Sequence, residues 1–312
     1  MDVKKPARYV FGPVPSRRLG RSLGVNLAPF KTCTFDCIYC QLGRTTNQTL
    51  CRRLYVPVAD LLAEVERKLR HHRPDFVTLS GSGEPTLHSQ LGLIISEIKK
   101  LTLIPVAVLT NGSLLSESDV RAACAQADVV MPSLDAATAS IFRRINRPCL
   151  DILFSRVVQG LTAFRQEFGG RLWLEVFLVQ GVNDEVAHAL KLRDLLAPMR
   201  ADRIHLNTVA RPPAEPHVRA VPLDQMQHIQ SILGPTAEVI ADFHEEEPDT
   251  AASATEDDLL ALLRRRPCTL SDIAAGLALH PNEAVKRLDG LLRRNLVTAS
   301  GSDGKQYFLV RS

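Results

Sequence analysis

Short apolar runs alternate with amphipathic stretches along the first 240 residues of this chain. "SLGVNLA" (22–28) precedes a cysteine-bearing segment and then "VADLLAEVERKLRHH", where apolar residues recur at helical spacing. "DFVTLS" (75–80) precedes "LGLIISEIKKL", "PVAVLTNG" (105–112) precedes "SESDVRAACAQ", and "DVVMPSLD" (128–135) precedes "ATASIFRRI". "RLWLEVFLVQG" (171–181) leads into "NDEVAHALKLRDLLAPM", and "RIHLNTV" (203–209) into "LDQMQHIQSIL". The pattern predicts six β–α units, and strands alternating with helices imply a parallel sheet. "SES" ahead of "DVRAA", and Asn183 with Asp184 ahead of "EVAHAL", read as helix starts. A complete or partial α/β barrel and a flat doubly wound sheet both fit. In either, ligands gather at the carboxyl ends of the strands.

Those ends are polar and glycine-rich. "GSGEPTL" (81–87) follows the second strand, "TNGSL" (110–114) the third and "SLD" (133–135) the fourth. "VQGVND" and "NTVARPP" close the fifth and sixth. Loops are polar in any case, but six such tips on one face point to a shared site.

The pattern changes at "FHEEEPDTAASATEDD" (243–258), where acidic and then small residues read as a linker. Beyond it, a helix ends before Pro267, "TLSDIAAGL" forms a short helix and "HPNEAVKRLDGLLRRN" a third. "LVTAS", a Gly-Ser-Asp-Gly turn and "QYFLV" predict a hairpin. Three helices and a hairpin resemble a winged helix-turn-helix domain, so two domains are expected, residues 1–248 and 249–312. Such a fold often lays its third helix in a DNA major groove, and Lys286, Arg287, Arg293, Arg294 and Lys305 would face it. Docking of a substrate or partner protein, and plain packing with a solvated basic face, compete with that reading.

Composition narrows the class. Of 312 residues, 45% are hydrophobic and 23% charged, with a net charge of +4, too weak by itself to argue for nucleic acid. No apolar run of about 18 residues suggests a membrane span, and the N-terminal stretch does not read as a secretory signal. A cytoplasmic protein with no membrane partner is expected. Seven cysteines then favour metal binding or catalysis over a disulfide framework. Cys51, Cys124, Cys149 and Cys268 are scattered, and Cys124 reads as a core residue.

The other three cysteines are crowded into "KTCTFDCIYC" (31–40), spaced C-x₃-C-x₂-C as Cys33, Cys37 and Cys40. A structural zinc site closes with four ligands, and catalytic zinc favours histidine or carboxylate. An iron–sulfur cube held by three thiolates keeps one iron open to a further ligand.

The segment, with the aromatic Tyr39 before its last cysteine, resembles the signature of the radical S-adenosylmethionine superfamily. "GSGEPTL" resembles that superfamily's glycine–glutamate motif and "SLD" its ribose-contacting position. The six units resemble its partial (β/α)₆ barrel, over roughly residues 9–240. "FGPVPSRRLGRSLGVNL" and "CTFDCIYCQLG" resemble further the iron–sulfur oxidoreductases grouped near the wyosine-tRNA synthases. Wyosine synthases like it carry a second cluster bound by upstream cysteines, and no cysteine precedes Cys33 in this sequence.

The resemblance implies an enzyme with a [4Fe–4S] cluster and S-adenosylmethionine. Cys33, Cys37 and Cys40 would ligate the cluster. Reductive cleavage of the cofactor would give a 5′-deoxyadenosyl radical, which abstracts hydrogen from an unidentified substrate: a tRNA, a protein or a small molecule. An external electron donor is implied as a partner. Tyr39 is expected near the adenine, or alternatively as a wall of the cluster, and Ser82, Gly83 and Glu84 at the methionine moiety, Glu84 alternatively capping the following turn. Ser133 and Asp135 are expected at the ribose, Asp135 alternatively as an N-cap. Asn111 either orients the cofactor carboxylate or makes an Asn-Gly turn; Val179 and Asn207 are expected near the adenine. Arg17, Arg18, the basic "RRINRP" (143–148) and the strand charge Glu175 are candidates for substrate or cofactor contact, or surface groups. The competing class is a redox sensor whose cluster modulates a DNA-binding winged helix. That reading leaves the motifs after the second and fourth strands without a use.

Overall fold

The antiparallel hairpin of β1 (Val10–Ser16) and β2 (Gly20–Val25) begins the main sheet in the computed structural model of the protein. The model describes residues 9–240, 255–277, 279, 281–302 and 305–311. The cysteine segment follows with two short strands, β3 (Thr32–Cys33) and β4 (Asn47–Gln48), and leads to α1 (Val58–His71). Units then repeat: β5 (Phe76–Leu79) with α2 (Leu91–Leu101), β6 (Val106–Thr110) with α3 (Ser118–Cys124), and β7 (Val129–Pro132) with α4 (Ala139–Asn146) and α5 (Phe154–Glu167). β8 (Arg171–Phe177) with α6 (Val186–Leu196), β9 (Arg203–Asn207) with α7 (Leu223–Leu233), and β10 (Ala237–Val239) complete the series.

The sheet order is β1-β2-β5-β6-β7-β8-β9-β10, with every pairing after β1–β2 parallel. A doubly wound sheet reverses its strand order at a switch point; this one runs in a single direction. Right-handed crossovers that all step the same way put the helices on one side. The result is a singly wound, open α/β sheet with barrel-like order.

Side-chain alternation follows from the strand period of two. Leu23, Val25, Val77, Leu79, Val106, Val108, Leu174 and Val176 are buried in the core shared with the helices. The intervening residues Ser22, Gly24, Thr78, Leu109, Met131, Glu175 and Phe177 line a cavity on the other face. Leu19, Ala107, Val129, Met131 and Trp173 form a second apolar cluster on that inner side. This alternation is why a charged residue sits in the middle of the apolar run of β8.

Apart from the two short strands of the cysteine segment, three elements depart from the pattern read in the sequence. β1 carries Pro13 and Pro15, which argue against a central strand but are tolerated at a sheet edge, where β1 lies. α5 and the short β10 have no counterpart among the six predicted units. The two helix starts read from the sequence fall within a residue or two of their places, but the capping differs. Glu117 and Glu185 occupy the N-cap positions of α3 and α6, without side-chain cap bonds. Asn183 and Asp184 instead bond backbone groups of their own loop and of the β8 end.

Beyond the main sheet come α8 (Glu256–Leu263), α9 (Leu270–Leu277), α10 (Pro281–Arg293) and the antiparallel pair β11 (Val297–Ser302) and β12 (Lys305–Val310). Thr255 and Asp258 form a capping box on α8. Leu259, Leu263, Ile273, Leu288, Leu291 and Phe308 make a core that includes Val14 of β1. Arg211 pairs with Asp272 at 3.1 Å, and the Tyr307 hydroxyl donates to the Ala210 carbonyl at 2.9 Å. The two hydrophobic patterns therefore meet across β1 and the segment after β9. The expected boundary at 248/249, most of the expected linker and part of the β11–β12 turn lie outside the described residues. Among the described residues no helix is long and apolar enough to cross a membrane.

Candidate functional site

The cysteine segment lies over the carboxyl ends of the strands, held from two sides. Lys31 N donates to the Ser82 carbonyl at 2.6 Å, and Glu84 N to the Thr32 carbonyl at 3.0 Å. A Cβ on Gly83 would sit 2.1 Å from the Thr32 oxygen, so only glycine allows this approach. On the other side Asp36 N and Ile38 N donate to carbonyls at the end of α4, Asn146 at 3.1 Å and Ile145 at 2.9 Å. The Asp36 carboxylate folds the rest of the loop back by accepting from Thr45 N and Arg44 Nε.

Cys33, Cys37 and Cys40 all line one cavity of about 410 Å³. Phe35 N and Asn111 Nδ2 each point at Cys33 Sγ from 3.5 Å, and Asn146 Nδ2 at Cys37 Sγ from 3.5 Å. Burial pushes the Cys33 thiol up to about 12, with Glu84 adding to it and the Phe35 and Asn111 donors opposing. Burial likewise raises Cys37, helped by Asp135, and Cys40, where Lys31 opposes it. Such thiols ionise when a metal takes the place of the proton. Among the described residues no three His, Cys, Asp or Glu side chains converge on a single ion. Thiols that each bind a different iron of a cube require no such convergence. Three cavity-lining thiols, two of them with directed N–H donors, therefore suit an iron–sulfur cube.

Of the other residues singled out in the sequence, Tyr39, Ser82, Gly83, Glu84, Asn111, Ser133 and Asn207 line the same cavity. Glu84 is buried, and its carboxylate accepts from Thr86 N, Thr86 Oγ1, Thr110 Oγ1 and Asn111 N. It is also the N-cap of the short 3₁₀ turn at Pro85–Leu87. Burial raises its pKa against those donors. Asn111 holds Thr34 Oγ1 at 2.7 Å with the same amide that faces Cys33. Ser82 N donates to Asn26 Oδ1 at 3.0 Å.

Asp135 and Val179 lie outside the cavity lining. Asp135 is buried and fully engaged: Oδ2 accepts from Tyr39 Oη at 2.5 Å and Asn146 Nδ2 at 2.6 Å, and Oδ1 from Phe177 N at 2.8 Å. Burial raises it to about 6 against those three donors. It does not cap α4; Thr138 does. The Tyr39 ring stacks on Phe177 with centroids 3.8 Å apart. Val179 packs with Ile38, Ile145 and Val218 behind that pair. Both residues thus support the cysteine segment from beneath.

Glu175 faces the cavity beside Arg18, whose Nη1 lies 2.8 Å from Oε2, while Asn207 Nδ2 donates to Oε1 at 2.9 Å. Burial alone would raise the Glu175 pKa, but Arg18 and the Asn207 bond bring it below the ordinary carboxylate value. Arg17 and Lys31 line the cavity too. So do Arg211, Arg265 and Arg266, which sequence reading did not single out. Arg211 lies within the "NTVARPP" tip after the sixth predicted strand, and the one sequence signal of Arg265 and Arg266 is the "RRRP" run just after α8, indistinguishable from a solvated helix end. Arg143 and Arg144 are exposed on α4. The site is thus a cavity with thiols at one end and cations along its wall.

The model of the Radical SAM superfamily matches residues 27–192, more than half of the chain. A protein of Brachyspira hyodysenteriae named GTPase Obg is 35% identical over 93% of this chain, which spans 43% of that relative's length. A UPF0026 protein of Helicobacter pylori is 34% identical, with 95% of each chain covered. Among solved structures, TYW1 with a lysine–pyruvate adduct bound superimposes with a TM-score of 0.52 at 21% identity, covering 72% of this chain and 75% of that one.

Proposed function

The chain belongs to the radical SAM superfamily, whose enzymes use a [4Fe–4S] cluster, S-adenosylmethionine and an electron donor, and from that premise we propose how its own residues divide the work. Cys33, Cys37 and Cys40 hold the cluster. When bound, it supplies the electron that splits S-adenosylmethionine into methionine and a 5′-deoxyadenosyl radical, which abstracts hydrogen from the substrate. The observation that carries this reading is the shared cavity: three thiols and the Ser82–Gly83, Asn111, Ser133 and Asn207 tips all open onto it.

Gly83 presents backbone and Ser82 its hydroxyl to the methionine end, and Ser133 and Asn207 present polar groups to the ribose and adenine end. Glu84, Asp135 and Val179 act one step back. Glu84 fixes Asn111 and the glycine turn, while Asp135 and Val179 fix Tyr39. The reading of α8–β12 as a winged helix-turn-helix domain over residues 249–312 is supported by the order of three helices and an antiparallel hairpin. Its role here is docking against the enzyme's cavity.

The test is chromatography of nucleosides after anaerobic incubation of reduced, iron-loaded protein with S-adenosylmethionine. 5′-Deoxyadenosine formed by the unsubstituted protein and lost in Cys33→Ala, Cys37→Ala and Cys40→Ala is the expected result. Protein that holds no iron, or that holds iron without affinity for S-adenosylmethionine, would contradict the reading.

A further inference from the structure

The cavity is walled on one side by residues from far along the chain. Leu262 of α8 and Arg265 and Arg266, in the turn just beyond it, line it together with the cysteines. Arg265 is fixed in place. Its guanidinium carbon lies 3.6 Å from the centroid of the Phe11 ring, and Nε donates to the Ala261 carbonyl at 3.2 Å. Phe11 in turn covers Gly24, where a Cβ would lie 2.0 Å from the ring. The stack Gly24–Phe11–Arg265 thus carries a guanidinium from the turn beyond α8 onto the inner face of β2.

Held this way, Arg265 Nη1 is buried and has no hydrogen-bond partner. A buried guanidinium nitrogen without an acceptor is unfavourable unless something else supplies one. Burial pulls the group down to about 9, with Glu64 pulling the other way. Around it the lining is cationic: Arg17, Arg18, Lys31, Arg211 and Arg266 share the cavity. The acidic members are fewer and already engaged. Glu175 is paired with Arg18, and Glu84 accepts four internal bonds. Guanidinium groups in such an arrangement match the oxygens of phosphate.

We propose that Arg265 and Arg266 complete the substrate site from the C-terminal segment and bind a phosphate group of the substrate. The proposal rests on the reading of the cavity as the reaction site. It names the substrate class: a phosphate ester, supplied either by a small phosphorylated molecule or by a polynucleotide. It also gives the C-terminal segment a part in the site beyond packing.

The experiment uses full-length, iron-loaded protein held without air and inorganic pyrophosphate as the probe, in equilibrium dialysis. Saturable pyrophosphate binding is expected, weakened at least about tenfold by Arg265→Gln and by Arg266→Gln, the loss of a hydrogen bond between charged groups. Arg265→Lys keeps the charge and is expected to retain binding better than Arg265→Gln. Thermal melting checks that each variant is folded, and Arg266→Gln stands in if Arg265→Gln is not. Competition separates the sources. Displacement by 5′-AMP identifies a small phosphate ester, and displacement by bulk tRNA but not by 5′-AMP identifies a polynucleotide. Absent pyrophosphate binding, binding that neither glutamine variant changes, or displacement by neither competitor would overturn the proposal. Iron content and S-adenosylmethionine affinity are measured on the same unsubstituted preparation. If both are intact while pyrophosphate fails, the substrate class is wrong; if they fail too, the cofactor reading is wrong.

Discussion

The Tyr39 hydroxyl donates a 2.5 Å hydrogen bond to Asp135 Oδ2, tying the cysteine segment to the tip beyond β7. The ring of Tyr39 rests on Phe177 at the end of β8, so the residue between Cys37 and Cys40 is held by two strand ends. Tyr39→Phe keeps the stack and removes the bond. It is expected to lower stability by about 1–3 kcal/mol, the cost of withdrawing a donor from a buried carboxylate. Urea unfolding of the two proteins measures it, and equal midpoints would show that the bond carries no net energy.

Gly83 and Thr32 supply a second, independent hold. Gly83→Ala places a methyl group where the Thr32 carbonyl stands, and the neighbour it meets is backbone. The cysteine segment is therefore expected to lift from the Ser82–Glu84 loop, with stability reduced by about 3 kcal/mol or more, in the range of severe steric and strain changes. Iron retained per chain after desalting should fall in parallel. An alanine variant with unchanged iron content and melting temperature would contradict the close approach.

How much of this was legible beforehand depends on range. The C-x₃-C-x₂-C spacing is local, and the residues needed to read it are adjacent. The order of β–α units is also local, through periodicity. The capping of the following turn by Glu84 is local too, and was one of the two readings open to it; the role of Asp135, and the further bonds of Glu84, are not. Both sit at strand tips where ligand contact was expected, and both carboxylates take bonds from other elements of the fold, Tyr39 and Asn146 for Asp135, Thr110 and Asn111 for Glu84. β1 was hidden because proline argues against a strand unless it is known to lie at the edge. Arg265 was hidden because its meaning depends on Phe11, over 250 residues earlier.

His205 sets a pH dependence. It is buried on β9 against the Trp173 ring, with Nε2 2.9 Å from Glu238. Burial and the nearby Arg18 pull its pKa below the ordinary value, while Glu238 and Glu175 pull it up without prevailing. The unfolded chain therefore takes up this proton first as pH falls. The stability that neutral His205 contributes is fully present above about pH 6.5 and is lost as pH drops toward the folded value, by up to about 1.4 kcal/mol per pH unit. Urea unfolding between pH 7.5 and 5.0 should show a shallower slope for His205→Gln than for the unsubstituted protein. Parallel slopes would contradict the assignment.

The join between the main sheet and the C-terminal segment is also open to test. Arg211 and Asp272 form a pair with side chains 9% and 12% exposed. Removing one partner of so buried a pair is expected to cost about 3–5 kcal/mol. Asp272→Ala should lower the unfolding midpoint accordingly, and unfolding should remain a single transition if the two parts are coupled. A separate early transition confined to the C-terminal segment would show instead that it folds on its own.

The central claim is that Cys33, Cys37 and Cys40 hold a cube with one iron left for S-adenosylmethionine. The most direct measurement is the electron paramagnetic resonance spectrum of the anaerobically reduced full-length protein, recorded before and after the cofactor is added. The account predicts a [4Fe–4S]⁺ signal that changes when S-adenosylmethionine binds, and no such signal after Cys37→Ala. A signal of full intensity that the cofactor leaves unaltered at saturating concentration would contradict it.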